Sequence, residues 1–190
     1  MVVFAAATLI TLVVQLTTAQ VYAIPSASMT PTLEVGDRVL VNKWAYRFGD
    51  PRRGDIVVFT RPKGAENVDD DLIKRVIALP GETVTITDNH VLVDGIALDE
   101  PYLAQGTLTQ PVGDHLCTPE APCIVPAGHL WVMGDNRNDS VDSRYFDAIP
   151  ISSVVGQAVF RVWPVGRFGS LDPPSPSCPD RAEGRASREP

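Results

Sequence analysis

A short segment rich in small hydroxyl residues, residues 24–33 (IPSASMTPTL), is the first part of the chain that could do chemistry. Two prolines restrict its backbone, and the small side chains between them leave room for another chain to approach. Ser28 is a candidate nucleophile, but a serine hydroxyl attacks only when a base removes its proton. The alternative, which the composition alone favours, is a Ser/Thr/Pro linker between an anchor and a domain.

A lysine is the better candidate for that base. The chain has three histidines in no Asp–His pattern, His90, His115 and His129. In an extended strand Lys74 shares a face with three apolar residues, Leu72, Val76 and Ala78. Burial there would lower its pKa from ~10.4 by ~3 units, which means that the charged ammonium form is disfavoured by roughly 4–5 kcal/mol. The alternative is an edge strand whose Lys74 and Arg75 reach out to water.

A dense polar loop, residues 134–146 (GDNRNDSVDSRYF), is the third candidate segment. A calcium loop is disfavoured because Arg137 and Val141 stand where oxygen ligands would alternate. The sequence of this segment agrees better with a scaffold loop that contains an Asp142–Arg144 ion pair. Such a loop could also carry a hydroxyl that orients the lysine. The alternative is a long polar turn held by Asx and Ser capping.

The cysteines favour a local disulfide. Cys117 and Cys123 are separated by five residues in a proline-containing loop, a suitable length for pairing with each other. A metal site would need further Cys or His ligands, and His115 and His129 match no ligand spacing. Free thiols are the other alternative. Cys178 has no evident partner.

Among the elements that would position these residues, an apolar segment comes first in the chain. The first charged side chain of its 190 residues is Glu34, and residues 1–24 are long enough as a helix (~36 Å) to cross a bilayer core of ~30 Å. We therefore expect a transmembrane anchor over residues 1–24. A cleavable signal and a buried helix remain alternatives. The basic residues beside it all follow it, which taken alone predicts a cytoplasmic domain: Arg38, Lys43 and Arg47.

The rest of the chain has a β pattern. Strands are predicted at 38–42, 55–60, 72–79, 129–133 and 154–163, with a hairpin of strands 83–87 and 90–93 about Asp88-Asn89. Short strands separated by turn signals predict an all-β, mostly antiparallel sheet or barrel-like domain over residues 25–168. Residues 97–125 are a small, disulfide-bearing excursion. The proline-rich residues 169–190 are predicted to be a disordered tail.

Taken together in order, these segments resemble the five signature regions of bacterial type I signal peptidases. The matching regions are residues 24–33, 36–43 (GDRVLVNK), 53–59 (RGDIVVF), 73–82 (IKRVIALPGE) and 134–146. The resemblance implies a membrane-bound, all-β serine endopeptidase that removes signal peptides from secreted precursors. Its catalytic domain would lie on the extracytoplasmic side of the cytoplasmic membrane.

The resemblance also assigns roles by matching position. Ser28 becomes the acylated nucleophile and Lys74 its general base, while Ser26 supplies a hydroxyl to the oxyanion hole beside the Ser28 N–H. Ser140 matches a hydroxyl that orients the lysine amine, and Asp142 with Arg144 matches a structural ion pair. Two further residues match the lining of pockets for small substrate side chains, Ile24 and Ile73.

The resemblance implies no metal and no cofactor, with precursor proteins and the lipid bilayer as partners. A net charge of −7 argues against nucleic acid as a partner. Ala27 stands where many relatives have glycine, which would narrow the approach to Ser28. Two other functions remain open: a self-cleaving regulator of the repressor type, disfavoured by the apolar start, and a membrane-anchored binding protein that has lost activity.

Overall fold

Two antiparallel sheets make up the fold. The computed structural model describes residues 18–47, 49–61 and 71–171. The larger sheet has the strand order β1-β2-β11-β3-β4-β9-β10, with β12 paired to β11. Its strands are β1 (Ala19–Ala23), β2 (Arg38–Asn42), β3 (Ile56–Thr60), β4 (Asp71–Ala78), β9 (His129–Met133), β10 (Ile149–Pro150), β11 (Val154–Trp163) and β12 (Gly169–Ser170).

The smaller sheet has the order β7-β6-β5-β8. Its strands are β5 (Thr83–Thr87), β6 (His90–Val93), β7 (Ile96–Ala97) and β8 (Cys123–Ile124). The predicted hairpin of β5 and β6 is confirmed, and both turn residues, Asp88 and Asn89, have the positive φ that a two-residue hairpin turn requires. One short helix, α1 (Ser143–Phe146), and three 3-10 turns complete the described elements, at Ala27–Met29, Ile151–Ser153 and Val165–Arg167.

The larger sheet is buried on both faces at its centre. Along β3, Ile56 and Val58 pack into one apolar cluster while Val57 and Phe59 pack into another. A strand covered on both faces gives an unbroken apolar run in the sequence, as residues 56–59 do. A third cluster, which includes Ile86 and Trp131, packs the smaller sheet against β4 and β9.

The predicted anchor is corrected at its carboxyl end. Residues 19–23 form β1, which pairs with β2 so that Val21 lies opposite Leu40. An apolar run does not by itself distinguish a strand from a helix, and here β2 supplies the hydrogen bonds. The first 17 residues of the predicted anchor lie outside the described residues. Among the residues that are described, no helix is long and apolar enough to cross a membrane.

The prediction of an all-β, mostly antiparallel fold is confirmed, and the described strands form two open sheets. Two predicted boundaries change. The predicted excursion is tied to the core at both ends, because Ala97 belongs to β7 and Cys123–Ile124 forms β8. The predicted tail begins with an ordered strand, β12, followed by the buried Leu171. Residues 172–190 of that tail lie outside the described residues.

Candidate active site

The candidate nucleophile lies on a tight turn just after β1. Ile24 accepts a backbone hydrogen bond from Gly36 and donates one to Asp37, which holds the end of β1 beside the turn before β2. The chain then enters the 3-10 turn Ala27–Met29, where Ser28 is only 7% exposed. Ser26 is exposed, and its Oγ lies 3.4 Å from Ser28 Oγ. Both serine hydroxyls therefore face the same small volume.

Lys74 is brought to Ser28 from strand β4. Its Nζ lies 2.8 Å from Ser28 Oγ and also donates a hydrogen bond to the carbonyl oxygen of Ile73, at 3.0 Å. Lys74 is 3% exposed, and this burial lowers its pKa to about 8. Asp142 and Asp135 act against the shift, while the positive charge of Arg61 adds to it. The result is an amine that loses its proton far more readily than a lysine in water.

The predicted apolar face around Lys74 is correct only in part. Leu72 and Val76 pack into one cluster, as the alternation predicts. Ala78 packs instead with Ile77 in the cluster of the smaller sheet. The reason is an irregularity in the pairing of β4 with β9 between Val76 and Ala78, which breaks the alternation.

The loop of residues 134–136 directly contacts the nucleophile turn, the 3-10 turn Ala27–Met29 that carries the candidate nucleophile. The backbone N–H of Asn136 donates to the Ser28 carbonyl oxygen at 3.0 Å, and its side-chain Nδ2 donates to the Ala27 carbonyl oxygen at 3.2 Å. A Cβ on Gly134 would collide with that same Ser28 oxygen and with Ser140 Oγ. Only glycine therefore allows the loop to lie this close to the turn.

The predicted Asp142–Arg144 ion pair is present and buried. Arg144 Nε and Nη2 donate to the two carboxylate oxygens of Asp142 at 2.8 and 2.9 Å. Asp142 also accepts from the Gly134 backbone N–H at 3.0 Å, and Arg144 donates to the Arg137 carbonyl oxygen. The pair thus ties the start, the middle and the end of the polar loop together.

Ser140, predicted to orient the lysine amine, makes no such bond in the structure. Its Oγ is buried and has no hydrogen-bond partner among the described residues, while the Lys74 amine bonds to Ser28 and Ile73. Ser140 Oγ packs against Gly134, beside the Ser28 carbonyl. It therefore lies next to the site with its hydrogen-bonding capacity unused.

Ile24 and Ile73, predicted to line substrate pockets, belong to one apolar cluster on β1 and β4. Both are buried, and Tyr22 packs against the same cluster. Burial and a hydrogen bond with Asp71 raise the pKa of the Tyr22 hydroxyl. Ile24 lies four residues before Ser28, and Ile73 is the residue before Lys74.

Sequence reasoning missed a second buried ion pair. Arg75 Nε and Nη2 donate to the carboxylate of Asp135 at 2.8 and 2.6 Å, and both side chains are 1% exposed. Arg75 also stacks on the Tyr102 ring, 3.9 Å from its centroid. The alternative for Arg75, a side chain reaching water, is wrong. The sequence did contain a feature that could have predicted this pair: an arginine within an apolar strand and an aspartate in a later polar loop.

Arg61 was also missed, because nothing in its local sequence distinguishes it. It follows the end of β3, and its positive charge lowers the pKa of Lys74. Its Nε is buried without a hydrogen-bond partner among the described residues.

Cys117 and Cys123 are joined by a disulfide, as predicted. Cys117 packs in the core of the smaller sheet, and its carbonyl oxygen accepts a hydrogen bond from the Ile86 N–H. The described residues contain no group of three or more His, Cys, Asp or Glu side chains arranged to hold a metal ion. Cys178 lies outside the described residues.

Comparison with known proteins gives a consistent result. Residues 1–163 match the family described as signal peptidase, peptidase S26. A signal peptidase I of Leptolyngbya laminosa is 46% identical over 155 residues, covering 80% of this chain and 72% of that protein. A probable signal peptidase I-2 of Synechocystis is 43% identical over 150 residues, covering 78% and 65% of the two chains. A crystal structure of an Enterococcus faecalis signal peptidase I is 34% identical, with a TM-score of 0.47, covering 57% of this chain and 97% of that one.

The sequence similarities to the peptidase S26 family and to signal peptidase I proteins show that the chain is a serine peptidase, a hydrolase. The chain belongs to the signal peptidase family, peptidase S26.

Proposed function

We propose that this chain is a membrane-bound endopeptidase that removes N-terminal signal peptides from secreted precursors, using Ser28 as nucleophile and Lys74 as general base. One observation supports it above all others: the 2.8 Å contact between a buried lysine amine and a buried serine hydroxyl. Buried lysines are rare unless paired, and this one has no carboxylate within salt-bridge distance among the described residues. An unpaired buried amine beside a hydroxyl suits proton transfer better than stabilisation of the fold.

The proposed reaction begins with the neutral amine. Lys74 Nζ takes the Ser28 hydroxyl proton while Oγ bonds to the scissile carbonyl carbon, and the carbonyl π electrons move to oxygen. The Ser28 N–H and the Ser26 hydroxyl donate to that oxyanion; such donors typically contribute ~3 kcal/mol each. The carbon–nitrogen bond then breaks, and the Lys74 ammonium returns its proton to the leaving amine. Water, deprotonated by Lys74, then bonds to the acyl carbon; the bond from that carbon to Ser28 Oγ breaks, and Lys74 returns the proton to Oγ.

Ser140 is proposed to orient the lysine amine during this reaction. Its unused Oγ beside Gly134 supports this role, because an ammonium has three hydrogens to donate and Lys74 uses two of them. The Asp142–Arg144 pair is proposed to hold the loop that carries Ser140.

The substrate is proposed to bind as an extended strand with small side chains before the scissile bond. β3 pairs with one edge of β4 at residues 71–74, and among the described strands β9 pairs with the other edge only from Arg75 onward. Residues 71–74 of that second edge therefore pair with no described strand. An open edge next to the dyad suits addition of a peptide strand. Ile24 and Ile73 would form apolar walls that leave space for small side chains only.

We also propose that the protein acts at the outer surface of the cytoplasmic membrane. The disulfide between Cys117 and Cys123 suits an oxidising compartment. Residues 1–17 are uncharged and mostly apolar, and they lead directly into β1, which ends five residues before Ser28. The nucleophile would therefore lie near the bilayer, where a signal peptide emerges.

The proposal is tested with purified protein and a secretory precursor. Wild type should release mature product, and Ser28→Ala and Lys74→Ala should each lower kcat/KM by at least ~10³-fold, as in catalytic triads and their variants. Ser153→Ala is the matched control, because the hydroxyl of this half-buried serine donates to the Pro150 carbonyl oxygen in its own turn. Self-cleavage without turnover of the precursor would favour a regulator. Binding without cleavage would favour an inactive relative.

A further inference from the structure

The nucleophile turn has little structure of its own. The 3-10 turn Ala27–Met29 is three residues long, and within it the Ala27 carbonyl accepts one backbone bond, from the Thr30 N–H at 3.0 Å. The residue before the turn, Ser26, makes no side-chain capping bond. The orientation of Ser28 must therefore be set by contacts from elsewhere in the chain.

Asn136 supplies two of those contacts from one residue. Its backbone N–H donates to the Ser28 carbonyl oxygen, and its side-chain amide donates to the Ala27 carbonyl oxygen. The backbone bond keeps the loop against the turn whatever side chain is present. The side-chain hydrogen bond has a different effect, because it is made to the carbonyl of the peptide group that joins Ala27 to Ser28.

That peptide group carries the proposed oxyanion donor. A peptide unit is planar, so the Ala27 carbonyl and the Ser28 N–H point in opposite directions from one plane. A hydrogen bond at the carbonyl fixes the rotation of the plane and hence the direction of the N–H. Accepting a bond at the carbonyl also polarises the unit and strengthens its N–H as a donor.

The loop that carries Asn136 is itself tied to the strand that carries the base. Asp135 accepts two hydrogen bonds from Arg75, the neighbour of Lys74, and one from the Thr32 hydroxyl at 2.5 Å. The contacts form a closed path from Lys74 through Arg75 and Asp135 to Asn136, and from there to Ser28 and back to Lys74. Asn136 is therefore held in place relative to both members of the dyad.

We propose that Asn136 is a positioning residue that aims the Ser28 N–H at the oxyanion through its side-chain bond to the Ala27 carbonyl; this inference rests on the function proposed above. Its contribution appears only when negative charge develops on the substrate oxygen. Ground-state binding of the substrate strand does not depend on it.

Two substitutions remove the side-chain donor. Asn136→Leu replaces the amide with an apolar group of similar size, and Asn136→Asp keeps the shape but places a carboxylate against the Ala27 carbonyl. Each should lower kcat by about 10- to 100-fold, less than the ~10²–10³-fold for losing an oxyanion donor itself. KM should change less than about threefold, because only transition-state stabilisation is lost. Asn138→Leu, an exposed position in the same loop, is the matched control and should behave as wild type.

A pair of ligands separates positioning from general damage to the fold. With a peptide aldehyde, Ser28 Oγ bonds to the aldehyde carbon and the hydroxyl proton passes to Lys74 Nζ, leaving negative charge on the former carbonyl oxygen. The corresponding peptide alcohol binds without that step. Asn136→Leu and Asn136→Asp should weaken the aldehyde about 10- to 100-fold and the alcohol less than about threefold. A merely structural role would weaken both ligands equally.

The outcomes are distinguishable from failure of the proposed function. If wild type does not cleave the precursor, or Ser28→Ala cleaves it equally well, the function itself is wrong. If wild type cleaves but both Asn136 variants match Asn138→Leu in kcat and in aldehyde affinity, the positioning role is wrong. Loss of the folded state in both Asn136 variants, seen by circular dichroism, would also overturn it, since the residue would then be structural.

Discussion

At the scale of single residues, the site depends on the cost of keeping a charged amine away from water. Lys74 has one hydroxyl and one carbonyl oxygen within hydrogen-bonding distance of its amine. Burial is the largest cause of its lowered pKa, and the carboxylates of Asp142 and Asp135 oppose it without cancelling it. The two carboxylates raise the pKa of Lys74 only weakly because each already forms an ion pair with an arginine. Asp135 pairs with Arg75, and Asp142 pairs with Arg144.

The lowered pKa leads to a prediction about pH. The proposed base, Lys74, must be neutral to accept the serine proton, so kcat/KM should rise with pH and level off above a pKa of about 8. The Arg61 charge favours the neutral amine, so Arg61→Gln should move this limb to higher pH. A pH profile of kcat/KM on a soluble peptide substrate provides the measurement. A limb near pH 6.5 that Arg61→Gln leaves unmoved would indicate a histidine base instead.

At the scale of elements, the polar loop of residues 134–146 follows β9 and makes hydrogen bonds to both β4 and the nucleophile turn. Residues 134–142, before α1 begins at Ser143, form neither helix nor strand and are held by buried arginine–carboxylate pairs. Arg144 binds Asp142 within the loop, and Arg75 binds Asp135 from β4. Such pairs are costly to desolvate but very costly to break singly, because the remaining charge stays buried.

Removing one buried carboxylate of this polar loop should therefore destabilise the fold strongly. Asp142→Asn leaves the Arg144 guanidinium without its anion, and we expect a loss of roughly 3–5 kcal/mol in the free energy of unfolding. The matched control is Glu34→Gln, which removes the same charge from the surface pair with Arg167, where Glu34 is 58% exposed. That change should cost no more than about 1 kcal/mol. Urea unfolding measures both, and equal losses would contradict the argument.

At the scale of the whole molecule, one face of the larger sheet leaves aromatic side chains uncovered. Val21, Leu40 and Phe160 lie opposite one another on β1, β2 and β11. Phe160 stacks on Phe168 with ring centroids 6.3 Å apart. Trp163 and Val165 continue this exposed surface toward the end of β11. Because β1 follows the apolar residues 1–17, this face supports the proposal of a bilayer partner.

The exposed face should matter for substrates in a membrane and not for substrates in solution. The double variant Phe160→Ser/Phe168→Ser should lower kcat/KM on a precursor held in lipid vesicles by on the order of tenfold, because apolar contact with the bilayer is lost. Cleavage of a soluble peptide should stay unchanged. The control, Leu116→Ser/Ile124→Ser, removes exposed apolar side chains near the smaller sheet. Equal effects of the two double variants on vesicle-bound precursor would contradict the assignment of this face.

The sequence by itself determined the features that depend on neighbours along the chain. The alternation of residues 38–42 and the Asp88-Asn89 turn predicted a strand and a hairpin with the observed bounds. The resemblance of five segments to the signature regions of type I signal peptidases predicted the family, and matching positions paired Ser28 with Lys74. The short spacing of Cys117 and Cys123 predicted their disulfide, since the constraint on a short loop is local.

The tertiary structure decided what depends on distant partners. Residues 19–23 form a strand because β2 lies beside them, which their apolar composition does not reveal. Arg75 is buried because Asp135, 60 residues away, meets it, although an arginine beside a lysine suggested an exposed edge. The alternation around Lys74 ends at a bulge that only pairing with β9 creates. Burial and ion pairing are properties of the assembled sheets, so no stretch of sequence contains them alone.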